Sequence, residues 1–65
     1  MALPKVGHNV RAYNDNGYQD GTVYYIDDFA FHMTIEEDSF DENQIGENIA
    51  IDVRVLNWDT LDGDE

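Results

Sequence analysis

The chain has no cysteine. That rules out a disulfide staple and a thiolate metal site, and it fits a reducing compartment. Proline occurs once, at Pro4, so there is no proline-rich linker. Basic residues are almost as scarce, with Lys5, Arg11 and Arg54 the only three. Binding a phosphate backbone draws on Lys and Arg, which disfavours direct contact with nucleic acid. No apolar run approaches the roughly 20 residues of a membrane span. Residues 1–10 contain no apolar stretch long enough for a signal peptide. A soluble, cytoplasmic protein that engages no membrane is therefore expected. The 65 residues allow one domain. A chain so short buries only about 60% of the surface its unfolded form exposes, which leaves little volume for a deep substrate cavity.

Acidic residues are abundant. Fifteen of them give a formal net charge of −12. Residues 12–53 hold eleven acids and not one Lys or Arg. Carboxylates without local partners repel one another and destabilise the compact state, so the pattern calls for a reason. Four are open: a basic protein partner, cation binding, a high-salt cytoplasm, or simple solubility. High charge with low hydrophobicity also marks disorder. Here, however, 42% of residues are hydrophobic, and they fall in ordered patterns.

Those patterns alternate as strands do. Phe29, Phe31, Met33 and Ile35 are separated by Ala30, His32 and Thr34. Ile49, Ile51, Val53 and Val55 are separated by Ala50, Asp52 and Arg54. Thr22 to Ile26 is β-branched and aromatic, and Asn9 to Asn14 is a shorter, weaker strand. The pair Asn16-Gly17 is a hairpin signal. Asp27-Asp28 separates two strand-like runs; as a two-residue loop it would set Ile26 opposite Phe29, Tyr24 opposite Phe31 and Thr22 opposite Met33. Without a glycine for positive φ, a longer loop or a one-residue shift is also open, and a shift would exchange the two faces. Ser39 as N-cap with Glu42 fits a capping box, and Gly46 suits a helix end, so a helical turn is expected over residues 40–45. The result is a mainly β, strongly bent small barrel of four to five antiparallel strands. It is one domain over residues 1–58, followed by a frayed acidic tail over 59–65.

Residues 7–40 resemble a Tudor-type, SH3-like barrel. The resemblance rests on Gly7-His8-Asn9-Val10, on the Asn14-Asp15-Asn16-Gly17-Tyr18 turn, on Gly21-Thr22-Val23 and on Ile35-Glu36-Glu37-Asp38-Ser39-Phe40. Such domains can read methylated Lys or Arg in an aromatic cage, where the cation lies over π faces. The resemblance implies Tyr13, Tyr18 and Phe40 as cage residues, with Glu37 or Asp38 as the acid. Ile35 stands where readers often carry another aromatic, so the cage is incomplete.

Catalytic chemistry finds no support. There is no nucleophile elbow, phosphate loop or Ser-His-Asp set, and acid pairs arise by chance at this density. His8 and His32 lack paired spacing for zinc. Residues 59–65 cluster carboxylates without the spacing of an EF-hand loop. No cofactor and no metal are expected. Trp58 either caps the core or anchors an interface.

The reading is a non-enzymatic acidic protein that engages a basic protein surface, as a nucleic-acid mimic or inhibitor. A 65-residue domain is roughly 28 Å across, and duplex DNA of that length carries about 16 charges, the same order as −12. Small proteins of this kind are common among phage-encoded modulators, an analogy only. The expected contact residues are Asp27, Asp28, Glu36, Glu37, Asp38, Asp41 and Glu42, with Tyr18 and Phe40 as anchors. The alternatives are a Tudor-like peptide reader and an acidic structural domain, either adapted to high salt or joined into a homo-oligomer through a strand edge.

Overall fold

The computed structural model describes residues 3–61. It contains β1 (Asn9–Asn14), β2 (Gly17–Ile26), β3 (Ala30–Asp38), β4 (Asn48–Asp52) and β5 (Asn57–Thr60), with a 3-10 turn at Glu42–Gln44 between β3 and β4. The strands form one antiparallel sheet in the order β4-β3-β2-β1-β5. The mainly β class, the strand number and the short turn are as the sequence suggests. The sheet is not closed: β4 and β5 are its two edges.

One face of every strand turns inward. Val10 and Ala12 on β1, Val23 on β2, Phe31 and Met33 on β3 and Ile51 on β4 form the buried cluster. Ile26, Ile49, Val53, Leu56 and Trp58 pack around it, so Trp58 covers the core. β3 and β5 are three strands apart in the sheet, about 14 Å at the usual strand spacing. Yet the rings of Phe31 and Trp58 meet edge to face at 5.8 Å. Only a strongly curled sheet permits that contact.

Two irregularities supply the curl. The register passes from Val23↔Met33 to Tyr25↔His32, leaving Tyr24 unpaired, and from Asp20↔Glu37 to Gly21↔Ile35, leaving Glu36 unpaired. Bulges increase local twist. Gly21 sits at the second one. A Cβ there would collide with the carbonyl oxygen of Thr34 and come within 3.1 Å of Met33 Sδ.

Three expectations need correction, and one open choice is decided. The β2–β3 connection takes the longer form, beyond Asp27-Asp28. Asp27 N donates to Ala30 O (2.8 Å), and Ile26 faces Phe31. No non-glycine residue among those described has positive φ, so the tight turn that two aspartates would have to strain into is avoided. Val23, not Tyr24, then enters the core, and Phe29 stays 45% exposed. The bulge turns both Tyr24 and Tyr25 outward.

The last expected strand, over 49–55, stops at Asp52. Its carboxylate accepts from Arg54 N, Nε and Nη2 (2.8–3.0 Å), and its carbonyl accepts from Val55 N and Leu56 N. This turn leaves Val55 77% exposed and sends the chain back as β5, which pairs with β1 from Val10↔Thr60 to Tyr13↔Asn57. β5 thus runs two residues into the stretch expected to be frayed from 59; residues 62–65 lie outside the described part.

The helical turn is capped by Asp41, whose carboxylate accepts from Asn43 N (2.9 Å). Ser39 is drawn elsewhere: its Oγ accepts from Tyr18 N at 2.7 Å. Gly46, at φ +94°, follows the turn as expected. The β1–β2 loop is Asp15-Asn16, with Gly17 already paired to Asn14. The Asn14 side chain holds it by accepting from Asn16 N (2.8 Å) and Gly17 N (3.2 Å).

Because the Thr34 carbonyl is backbone and cannot rotate aside, Gly21→Ala forces β2 and β3 apart. Overpacking of this kind costs about 1–3 kcal/mol, and a domain this size loses about 4–8 °C per kcal/mol. Thermal unfolding followed by circular dichroism is expected to show a midpoint lower by about 4 °C or more. An unchanged midpoint would show that the strands do not approach so closely.

Candidate functional site

Four segments meet at one end of the sheet: the β1–β2 turn, the start of β2, the end of β3 and the β3–β4 connection. Ser39 N donates to Tyr18 O (2.9 Å), and Gly46 N donates to Ile35 O (2.8 Å). The Phe40 ring packs against Gly17, where a Cβ would lie 3.0 Å from Cε1. These segments carry seven carboxylates, Asp15, Glu36, Glu37, Asp38, Asp41, Glu42 and Glu47, and no Lys or Arg. Phe40 and Ile45 are half exposed among them, at 48% and 49%.

Some of these acids have duties within the fold. Asp38 accepts from Gln19 Nε2 (2.8 Å) and from the amides of Phe40 (2.7 Å) and Asp41 (3.0 Å). Glu36 accepts from Thr22 Oγ1 (2.6 Å). Asp41 caps the 3-10 turn. Asp15, Glu42 and Glu47 make no side-chain hydrogen bond or ion pair among the described residues, and they are exposed.

The contact residues expected from sequence therefore divide. Glu36, Glu37, Asp38, Asp41 and Glu42 lie at this end with Phe40 and Tyr18. Asp27 and Asp28 lie at the other, in the β2–β3 connection. That opposite end also carries Asp52 with its partner Arg54, and Lys5 in the segment leading into β1. Charge is thus polarised along the molecule. Asp15, Glu47 and Ile45 join the acidic end without having been singled out from sequence. They are distant in the chain, and tertiary hydrogen bonds such as Ser39 N–Tyr18 O, Gly46 N–Ile35 O and Ile35 N–Glu47 O gather them.

Tyr13 and Tyr18 are cross-strand partners. With Arg11, Asn14, Asp15, Asn16, Gly17 and Asp59 they line an open cleft of about 460 Å³. The Arg11 guanidinium lies 4.0 Å over the Tyr18 ring. It also grips Asp20 with two hydrogen bonds, Nε–Oδ1 at 2.8 Å and Nη2–Oδ2 at 3.0 Å. Tyr13 donates its hydroxyl proton to Asp59 (3.2 Å), which holds the phenol above its ordinary pKa. Phe40 does not line this cleft. It packs on Gly17, whose neighbour Tyr18 points to the opposite face of the strand. The three-membered cage is not assembled, and the chain's own Arg11 covers one face of Tyr18.

A second aromatic group lies on the outer face of β2 and β3. His32 makes edge contacts with Tyr25 (5.1 Å) and Tyr24 (6.2 Å). Arg54, held by Asp52, stacks 3.6 Å over Phe29. Among the described residues no three His, Asp or Glu side chains are placed to hold a metal ion, and no helix is long and apolar enough to cross a membrane. Compared with models of known families, with curated proteins and with solved structures, the chain matches none.

Two carboxylates are held below their ordinary range. For Asp38, partial burial pushes upward, but the hydrogen bonds from Gln19 and the amides of Asp41 and Phe40 outweigh it. For Asp52 the cause is its hydrogen bond from the Arg54 side chain, aided by the Arg54 amide. A lowered folded pKa contributes stability that is complete above the unfolded value, about 3.9, and is lost as pH falls through the folded one. Asp38→Ala is expected to lower the thermal midpoint at pH 7 and to narrow the difference between pH 7 and pH 2. A difference as wide as in the parent would show that Asp38 takes no part in acid sensitivity.

Proposed function

We propose that this chain is a non-enzymatic binding protein whose acidic end engages a basic protein surface, in the manner of a nucleic-acid mimic. The observation that carries the reading is the gathering of seven carboxylates at one end of the molecule, where the one nearby cation, Arg11, is already bound to Asp20. The molecule measures 28 × 22 × 22 Å, and duplex DNA over the longest dimension carries about 16 charges. Such an end presents a basic groove with a field resembling that of a polyanion. Complementary charge speeds encounter and makes it salt-sensitive. Half-exposed Phe40 and Ile45 add apolar contact within the charged rim, as interface cores require. Occupying such a groove would inhibit its owner.

The strand order supports a small SH3-like barrel as the underlying architecture, since a meander whose last strand returns beside the first fits that topology. Fold does not choose a function. The peptide-reader alternative needs Tyr13, Tyr18 and Phe40 in one pocket, and their arrangement lends it no support.

Immobilised protein exposed to a matching cell lysate at low salt is expected to retain a basic, nucleic-acid-handling protein. A rising salt gradient should release it, and duplex DNA should compete. Asp15→Lys, Glu42→Lys and Glu47→Lys together are expected to weaken binding more than tenfold, about 1.4 kcal/mol. Asp27→Lys with Asp28→Lys should change it little. Retention that ignores salt, or equal loss from both sets, would sink the proposal. Cooperative folding only in molar salt, with nothing retained, would favour the acidic structural domain.

A further inference from the structure

The β1–β2 turn holds a second kind of chemistry, independent of any partner. Asparagine is among the thermolabile residues, because its side-chain carbon can be attacked by the backbone nitrogen of the next residue. A side chain on that next residue hinders the attack, and glycine, with no Cβ, offers least hindrance. Of the six asparagines, only Asn16 precedes a glycine.

Its surroundings favour it again. Asn9 and Asn48 lie in strands with their Oδ1 atoms 2.7 and 2.8 Å from threonine hydroxyls. Asn14 uses its Oδ1 to hold the turn. Asn16 stands exposed in the two-residue loop, and its carboxamide makes no hydrogen bond among the described residues. The nucleophile, Gly17 N, donates a long 3.2 Å bond to Asn14 Oδ1 at the very end of the β1–β2 ladder.

We propose that Asn16-Gly17 is a site of spontaneous deamidation in the folded protein. Gly17 N forms a bond to Asn16 Cγ as the bond from Cγ to the side-chain nitrogen breaks. The proton from Gly17 N leaves with that nitrogen as ammonia, and a five-membered succinimide remains. Water then adds to either ring carbonyl and opens the ring. The product is an aspartyl residue at position 16 or, by the other opening, an isoaspartyl one. No oxidant, metal or enzyme is consumed.

The position gives the change consequences. Either product adds a carboxylate to the rim of the tyrosine cleft, beside Asp15 and Asp59. The isoaspartyl form also inserts a methylene into the main chain between Asn14 and Gly17, which are cross-strand partners. The Asn14 side chain can no longer reach both amides in the same geometry, so the hairpin end is loosened.

The test is incubation of the folded protein at 37 °C and mildly alkaline pH, with peptide mapping by mass spectrometry and a parallel sample unfolded in urea. The expected result is replacement of NH2 by OH at position 16 in the folded sample, both isomers resolved, and other asparagines intact. Asn16→Gln should abolish the gain, since the larger ring forms far more slowly. Asn14→Ala, which removes the Oδ1 contact to Gly17 N, should accelerate it, and thermal unfolding of the converted fraction should show a lower midpoint. Conversion in urea with none in the folded sample would overturn the proposal, because the turn would then protect the site. Conversion spread over several asparagines would overturn it as well.

Discussion

A single sheet with no second layer must find its own cover. The described residues contain no helix beyond one 3-10 turn and no second sheet to shield the inner face. Apolar side chains on that face can leave water only if the sheet rolls until its distant strands meet. The meeting of Phe31 and Trp58, from strands that a flat sheet would hold far apart, is that closure made visible. Much else follows from it. β2 must bend, so Gly21 sits where a Cβ has no room, and two bulges between β2 and β3 add the local twist.

The same economy of space governs charge. Each of the two arginines is held by one aspartate and laid over one aromatic ring: Arg11 with Asp20 and Tyr18, Arg54 with Asp52 and Phe29. These clamps fasten β1 to β2 and the β2–β3 connection to the turn after β4. With both arginines engaged in these clamps, Asp15, Glu42 and Glu47 are left without a cation partner among the described residues. Polarity of charge is thus a consequence of where the cations are needed for structure.

How much of this the sequence disclosed depends on the range of each signal. The alternation at Phe31, Met33 and Ile35 was legible, because period-two patterning is local and strong there. The same signal misled at Val53 and Val55, where the grip of Asp52 on Arg54 ends the strand despite the pattern. Asn57–Thr60 is short, half polar and adjacent to an acidic stretch, so nothing local marks it as a strand; its partner β1 lies at the far end of the sequence. The candidate site divides in the same way. Glu36 to Glu42 are sequence neighbours and were read together, whereas Asp15 and Glu47 join them only through tertiary hydrogen bonds. Asp27 and Asp28 were grouped with them on charge alone, and the sheet sets them apart.

The pairing of β5 with β1 has a kinetic meaning. β1 lies between two neighbours, one adjacent in sequence and one the last of the five strands to be synthesised. Until Asn57–Thr60 arrives, half of β1's hydrogen-bonding edge is open and the Phe31 ring lacks the indole that covers it. Contacts this remote in sequence slow folding, since loop entropy is lost before they form. A nascent chain therefore passes through a stage with a β2–β3 hairpin, a bare aromatic and an unpaired edge, which is when small β proteins are most prone to associate. The dense negative charge is already present at that stage. Like charge on every copy opposes that association.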